Sequence, residues 1–559
     1  MKKSMGALIA AIMIAITTLT LVKLPKEQSV NAQGKSQAKN VILLIGDGMS
    51  MEGVTLSRNT KGQSLAMDEI AVGTVMTSWA SGPITDSAPG GTAYSAGQKT
   101  YNKYIGTSTS DAPLATILEG AENKGKATGL IATSEITHAT PADFAAHTDN
   151  RKNYNQILRQ EINGNLEVLL GGGFNTSWGY TSDVEETAFQ DYYKNRVQEI
   201  KDEGYQYVTT KSEMEKADGT KLWGAFADGD LKYDYDRIAD KDEVQPSLSE
   251  MTNKAIDVLN KDDDGFFLMV EGSKIDWAAH ANNTAGIVSE VLAFDEAVKS
   301  AVDFAKKDGN TVVVVTTDHG NSGITIGSNY YNTNVGSYDK ATYKDSIDKL
   351  KDAKITEERF DTLASKKSDD EIKTLAKEYY NFDLTDEELN LVKGFDKNGV
   401  AIQGRQKGIR EVVARRCGIG YTTGGHTSEQ VYLGVYSPEQ VESIDGVIDN
   451  TEVNKYMQRV LFGSEILNDY TKEIYQDGAE KLKAIEGTKV TVDETIKYAP
   501  KAIIERDGKK IELELYTNKY TLNGEAKELK TVVPYIKGKF YVSNELLQIV
   551  SSLTEGGVN

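Results

Sequence analysis

The chain has 559 residues, with 83 Asp and Glu against 63 Lys and Arg, a formal net charge of −20 and a mean hydropathy of −0.44. Such a surface repels polyanions, which excludes nucleic acid and anionic membranes as partners and leaves any anionic substrate dependent on local positive charge. Cys417 is the single cysteine, so an intramolecular disulfide and a thiolate cluster are excluded and a bound metal needs Asp, Glu, His or hydroxyl ligands.

Residues 1–32 read as a signal peptide: Lys2 and Lys3, an apolar run over 5–22, and Val30-Asn31-Ala32 for cleavage. Retention as an anchor is the alternative, because the run is nearly long enough to span a bilayer. The chain is therefore expected to be secreted or held at the cell surface, with no membrane span in the mature part. Losing the leader removes Lys2, Lys3, Lys23 and Lys26 but only one acid, Glu27, and deepens the negative charge.

From about 38 to 136 the pattern is strand, loop, helix, strand. The apolar run 41–45 ends in Gly46-Asp47-Gly48, and runs at 127–133, 266–270 and 311–317 repeat it. Continuous apolar runs fit parallel strands buried on both faces. A helix is predicted over 285–307, with Val291, Leu292, Val298 and Val302 inward. Alternation of this kind predicts an α/β fold, a three-layer α/β/α sandwich around a mostly parallel sheet. Asp47, Glu271 and Asp318-His319 each follow an apolar run directly, and parallel sheets bind ligands at the carboxyl ends of their strands.

Residues 325–415 are rich in Lys, Asp and Glu and helical in pattern, with a capping box at Thr385 and Glu388. They read as a helical insertion near the site mouth, either a solvated surface excursion or a device that shapes substrate access. The sheet pattern resumes at 431–436, which closes a catalytic domain over 38–470. Residues 481–559 change texture: Asp507-Gly508 and Asn523-Gly524 are hairpin signals, and 13 Lys and Arg face 11 Asp and Glu. This part reads as a small β-rich accessory domain. Its sequence Tyr-Thr-Leu-Asn-Gly-Glu-Ala-Lys-Glu-Leu (520–529) resembles the small domain that begins some copper amine oxidases and recurs on secreted bacterial proteins; contact with a cell wall is one role open to it, a structural appendage the other.

Ser87 precedes a small-residue stretch that can start a helix, where the positive field favours an alkoxide and a bound phosphate; an ordinary N-cap is the plain alternative. Asp276 and His280, four apart, share one helix face and can chelate one ion. Asp318-His319 at a strand end and His426 in a Gly-Gly-His-Thr loop are each weak alone. All lie at or just after strand ends, where one cleft can collect them. With only five histidines, most in such settings, a serine activated by metal fits better than one activated by a histidine base.

Six ordered motifs give the chain a resemblance to the alkaline phosphatases over most of 38–463. They are Leu-Leu-Ile-Gly-Asp-Gly-Met (43–49); Thr-Asp-Ser-Ala (85–88) with Gly-Gln-Lys-Thr-Tyr-Asn (97–102); His-Ala-Thr-Pro (138–141) with Arg151; Glu-Gly-Ser-Lys-Ile-Asp (271–276) with His280; Thr-Thr-Asp-His-Gly (316–320); and Gly-Gly-His-Thr (424–427). The resemblance implies hydrolysis of small phosphate monoesters through a phosphoserine at Ser87, with Arg151 gripping the phosphate. It implies one Zn2+ on Asp276, His280 and His426, a second on Asp47, Asp318 and His319, and Mg2+ on Asp47, Thr140 and Glu271. It also implies a homodimer.

Two positions depart from many members: His138 in place of an acid and Trp277 in place of a lysine or histidine. His138 either ligates the third ion, turning it towards Zn2+ or Co2+, or hydrogen-bonds beside it. Asn321 stands where some relatives carry histidine, and His147 reads as structural. Gly91, where sulfatases have arginine, argues against a sulfatase. A phosphodiesterase of the same superfamily and a surface-binding protein acting through 481–559 remain the alternatives.

Overall fold

The computed structural model describes residues 35–174, 195–328, 342–396, 398–402 and 407–553; the leader at 1–32 lies outside the described residues. In chain order the strands of the catalytic part are β1 (Asn40–Gly46), β2 (Ala71–Met76), β3 (Ala127–Glu135), β4 (Val168–Gly172), β5 (Gln206–Val208), β6 (Leu222–Ala225), β7 (Phe266–Gly272), β8 (Thr311–Thr316), β9 (Gly320–Asn321), β10 (Ile324–Ile326), β11 (Ile419–Tyr421), β12 (His426–Thr427), β13 (Val431–Tyr436) and β14 (Gly446–Asp449). Among the described residues ten of these form the main sheet, in the order β14-β2-β13-β8-β1-β7-β3-β4-β6-β5. Both pairings of β13 are antiparallel; the neighbours β8, β1, β7 and β3 are mutually parallel.

Alternating side chains of the central strands feed two separate cores. Ile42, Leu44, Leu268, Val270, Val313 and Val315 face one, while Val41, Leu43, Ile45, Phe267, Met269, Val312 and Val314 face the other. A strand buried on both faces reads as continuously apolar, which is why those runs were legible. Four helices matter below: α1 (Ser87–Ala96), α2 (Ala139–Ala145), α3 (Lys274–His280) and α4 (Thr284–Asp308). Val291, Val298 and Val302 of α4 pack into the first core, so the sheet is covered on both sides and the three-layer expectation holds. Glu271 corrects one detail: it lies inside β7, not after it.

The described part of the insertion is mainly helical, with helices at Glu357–Ala364, Asp369–Tyr380, Asp386–Val392 and Ile409–Cys417 and the capping box at Thr385 and Glu388 in place. It is not a solvated excursion. Phe360, Ile372, Ala376, Tyr380, Val412 and Val413 join the first core. Glu357 is fully buried and accepts the backbone N–H of Ala285 at 3.0 Å, satisfying a free donor in the first turn of α4, the helix that follows α3.

Residues 489–528 form a five-stranded antiparallel sheet. Its hairpins turn at Asp507-Gly508 and Asn523-Gly524, all four residues with positive φ, the backbone that a two-residue type I′ turn requires. Its core gathers Ile504, Leu513, Phe540, Leu546 and Val550. The segment meets the catalytic part through Lys537 on Asp111 (2.7 Å) and Arg159 on the Tyr498 carbonyl (3.2 Å).

Glu161, in the helix Tyr154–Ile162, is fully buried, and neither carboxyl oxygen has a hydrogen-bond partner among the described residues. Burial holds its carboxyl well above the usual range. The unfolded chain therefore gives up this proton first as pH rises, and stability is lost from the ordinary carboxyl pKa upward. Glu161→Leu is expected to raise stability more at pH 9 than at pH 5, by about 1–3 kcal/mol, the cost of an unsatisfied buried polar group. Denaturant melts at the two pH values check this; equal gains would refute it.

Candidate active site

The site forms where β8, β1, β7 and β3 end side by side. Asp47 follows β1, Glu271 is near the end of β7, Asp318 and His319 follow β8, and His138 and Thr140 follow β3 at the start of α2. Asp276 and His280 come from α3 one turn apart, as the spacing predicts. His426 corrects the loop expectation: it sits in β12, paired with Asn321 of β9. Ser87 is the first residue of α1, and Asp86 holds the cap position, so the serine is not the N-cap. Asp86 makes no cap bond; its carboxylate instead accepts Arg151 Nη1 at 2.7 Å.

Three clusters of ligand atoms lie within 4.8 Å: Asp276, His280 and His426; Asp47, Asp318 and His319; and Asp47, His138 and Glu271. Each of three imidazoles is aimed by its Nδ1, which meets a backbone carbonyl: His280 on Gly424 (2.8 Å), His426 on Thr85 (2.8 Å) and His319 on Gly320 (3.1 Å). The Nδ1–H donates, so Nε2 is the nitrogen each ring turns to the cluster, a ligand once it gives up its proton to a cation. His280 and His426 Nε2 are 3.1 Å apart, and His319 Nε2 lies 3.1 Å from Asp318 Oδ2 and 3.4 Å from Ser87 Oγ.

The acids are crowded. Asp47, Glu271 and Asp318 are fully buried, and both oxygens of Asp47, both of Glu271, Asp318 Oδ2 and Thr140 Oγ1 lack a hydrogen-bond partner among the described residues. Burial, with Asp318, Asp276 and Glu271 alongside, lifts Asp47 well above the carboxylate range, and burial pushes Glu271 up to about 8. Burial pushes Asp276 the same way, but the hydrogen bond to His280 overcomes it and holds Asp276 low. Burial works against the charged form of His319, yet Asp318 brings it up to about 9. Orphaned oxygens and imidazole lone pairs facing one another fit divalent cations, which supply the charge this arrangement lacks.

Close backbone approach makes the convergence feasible. Gly48 has φ +64°, and a Cβ there would fall 2.5 Å from Asp276 Oδ1; its N–H donates to Asp318 Oδ1 at 3.0 Å. Asn321 Nδ2 donates to Asp276 Oδ1 at 2.6 Å, an aiming role that its place in the sequence did not reveal. Asp86 stood out in the sequence only as the acid beside Ser87; its hold on Arg151 needs the folded chain. His147 is structural as expected: it is fully buried, with Nδ1 on the Gly106 carbonyl at 2.8 Å and Nε2 against Tyr475 and Glu119. Trp277 meets His138 edge-on, ring centroids 5.9 Å apart.

The alkaline phosphatase family model matches residues 38–462. The chain belongs to the alkaline phosphatase family. It is 39% identical over 479 residues to alkaline phosphatase 3 of Bacillus subtilis, covering 82% of this chain and 96% of that one, and 31% identical to the repressible alkaline phosphatase of Saccharomyces cerevisiae, covering 79% and 85%. The Thermus thermophilus alkaline phosphatase structure aligns with TM-score 0.66 at 27% identity, over 78% of this chain and 95% of that one. A histidine-to-aspartate variant of the Antarctic bacterium TAB5 alkaline phosphatase (TM-score 0.53, 27% identity, 77% and 99% covered) carries Mg in its M3 site. This alkaline phosphatase is thus a metal-dependent phosphoric monoester hydrolase. Among its described residues no helix is long and apolar enough to cross a membrane.

Charge crowding gives a prediction with opposite signs in two states. Asp47→Asn removes one of the clustered acids, so the chelated variant is expected to be more stable than the chelated wild type by about 1–3 kcal/mol. With divalent cations restored the order is expected to reverse, because a ligand shared by two clusters is lost. Thermal melts with and without chelator check both signs.

Proposed function

We propose that this alkaline phosphatase works through a covalent phosphoserine at Ser87. The observation that carries the reading is the placement of one buried hydroxyl, at the head of α1, 3.4 Å from His319 Nε2 and next in sequence to the Asp86 carboxylate that holds Arg151. Ser87 Oγ attacks phosphorus, forming a P–O bond as the ester P–O bond breaks, and the alcohol leaves with the serine proton. Water then attacks phosphorus, the P–Oγ bond breaks, inorganic phosphate departs and Oγ recovers a proton. The N-terminal field of α1 favours the negative charge that develops on Oγ and on the phosphoryl oxygens.

Asp276, His280 and His426 would hold one Zn2+, Asp47, Asp318 and His319 a second, and Asp47, Thr140 and Glu271 a Mg2+. Bound there, the cations supply the charge that acidifies the serine hydroxyl and neutralises the departing alkoxide. Arg151 donates from Nη1 to Asp86 and from Nη2 to His138 Nε2 (3.0 Å), which fixes the guanidinium plane and leaves N–H groups for phosphate oxygens. Because arginine only donates, that bond takes the Nε2 lone pair of His138. Burial and Arg151 bring the His138 pKa down to about 3, so the ring stays neutral. This reading gives His138 to the aiming of Arg151 and leaves the third ion an oxygen set, which suits Mg2+. Family membership supports the extension to an exported homodimer with its catalytic domain over 38–470, and the separate sheet and core beyond Leu482 support an accessory domain at 481–559.

Ser87→Ala is expected to abolish acid-stable phosphoserine and to lower kcat by about a thousandfold or more, while metal analysis finds the wild-type complement. Phosphoenzyme formed by that variant would sink the reading. Arg151→Lys is expected to weaken inhibition by inorganic phosphate about 10- to 100-fold, the worth of a charge-assisted hydrogen bond, as read by inhibition constants against a chromogenic monoester.

A further inference from the structure

Asp143 lies three residues beyond Thr140 on α2 and is fully buried. Ala139, Ala142 and Ala146, on and just after the same helix, join Ala88, Ile105 and Ile157 in one buried apolar cluster. Burying an acid there costs more than burying an apolar side chain of similar volume, unless its hydrogen bonds are needed. Those bonds join three parts of the site. Asp143 Oδ1 accepts the hydroxyl of Thr92 at 2.8 Å and the backbone N–H of Gly106 at 3.3 Å, and Thr92 Oγ1 also accepts that N–H at 3.1 Å. Thr92 is on α1, five residues after Ser87. Gly106 is on the loop that holds Arg151: the Arg151 N–H donates to the Lys103 carbonyl at 2.8 Å, and Ile105 and Thr148 exchange backbone hydrogen bonds at 2.9 and 3.0 Å. Gly91 lets the two helices meet, since a Cβ at that position would fall 2.3 Å from Asp143 Oδ2.

We propose that Asp143 is a positioning residue for phosphoryl transfer: it locks the Ser87 helix, the Thr140 helix and the Arg151 loop into one register. It touches no substrate atom and acts through Thr92 and Gly106. The proposal rests on the phosphoserine reading above. Burial keeps the Asp143 carboxyl well above the usual range, so the neutral amide of asparagine can take its place, keeping the acceptor that both donors use. Alanine cannot.

The test is rapid-quench phosphorylation of Ser87 by a chromogenic monoester in the full-length, metal-loaded protein. Asp143→Ala and Thr92→Val are each expected to slow Ser87 phosphorylation about tenfold or more, since small misplacements of reacting groups are costly. The double variant is expected to be no slower than the slower single one, because both remove the same link. Asp143→Asn is expected to stay within about threefold of wild type, and all four to keep the wild-type metal content. Wild-type rates in Asp143→Ala, an asparagine variant as slow as the alanine one, or effects that multiply in the double variant would each overturn the proposal. Should Asp143→Ala fail to fold, Thr92→Val at the wild-type rate overturns it on its own. Wild-type protein that forms no phosphoserine would instead remove the Ser87 reading, and this proposal with it.

Discussion

Folding brings Asp47, Glu271, Asp276 and Asp318 together at one sheet edge, where like charges a few ångströms apart in a poorly solvated space repel. The rest of the catalytic part is arranged so that this repulsion does not open the structure. Strands β8, β1 and β7 carry apolar side chains into both cores, so the burial that holds the central sheet together also fixes where its polar ends lie. Moving one acid outward means shifting a strand whose other residues are buried on two faces. The strain is thus left to be relieved by cations, which is the economical solution for a site that needs positive charge on an acidic protein.

Cation sites need more than acids in proximity. Each imidazole has two nitrogens, and a ligand is useful only when the right one presents its lone pair. Three backbone carbonyls, at Gly424, Thr85 and Gly320, take the Nδ1 protons of His280, His426 and His319. Because those carbonyls belong to segments already fixed by the β9–β12 pairing and by the approach to α1, the tautomers are set by the fold. The same economy governs Arg151, whose two terminal nitrogens are spent on Asp86 and His138, so its plane is fixed before any phosphate arrives.

How much of this could be read from the chain depends on the range over which each feature is specified. Val41 to Ile45 and Thr311 to Thr316 were legible because burial on both faces leaves a continuous apolar run. Asp276 and His280 were legible because a helix repeats within four residues, and the turns at Asp507-Gly508 and Asn523-Gly524 because few residues adopt positive φ. What failed were features fixed by distant partners. His426 looked like a loop residue because a two-residue strand leaves no periodicity and needs Asn321, more than a hundred positions away, to exist. In the sequence Asn321 marks only a place where some relatives carry histidine, and the aim its amide gives Asp276 needs the folded chain. For the insertion, a composition dominated by Lys, Asp and Glu left a solvated excursion open beside an access-shaping role, while Phe360, Ile372 and Tyr380 sit among those charges and reach the main core.

The outer segments then take on a mechanical sense. Glu357 brings an acceptor to the first turn of α4 directly beyond the helix of Asp276 and His280, and Arg410 reaches the Ala281 carbonyl at 3.3 Å from the same insertion. On the other flank Lys537 meets both Asp111 and the Tyr104 hydroxyl, in the loop whose Lys103 carbonyl anchors Arg151, and Tyr475 closes on His147, whose ring holds Gly106. A parallel sheet fixes only the ends of its strands; the loops beyond them must be held from outside. Here the insertion steadies the loop side that carries imidazole ligands, and the C-terminal segment steadies the side that carries the arginine, so groups supplied by distant stretches of chain can keep the sub-ångström register that transfer of a phosphoryl group demands.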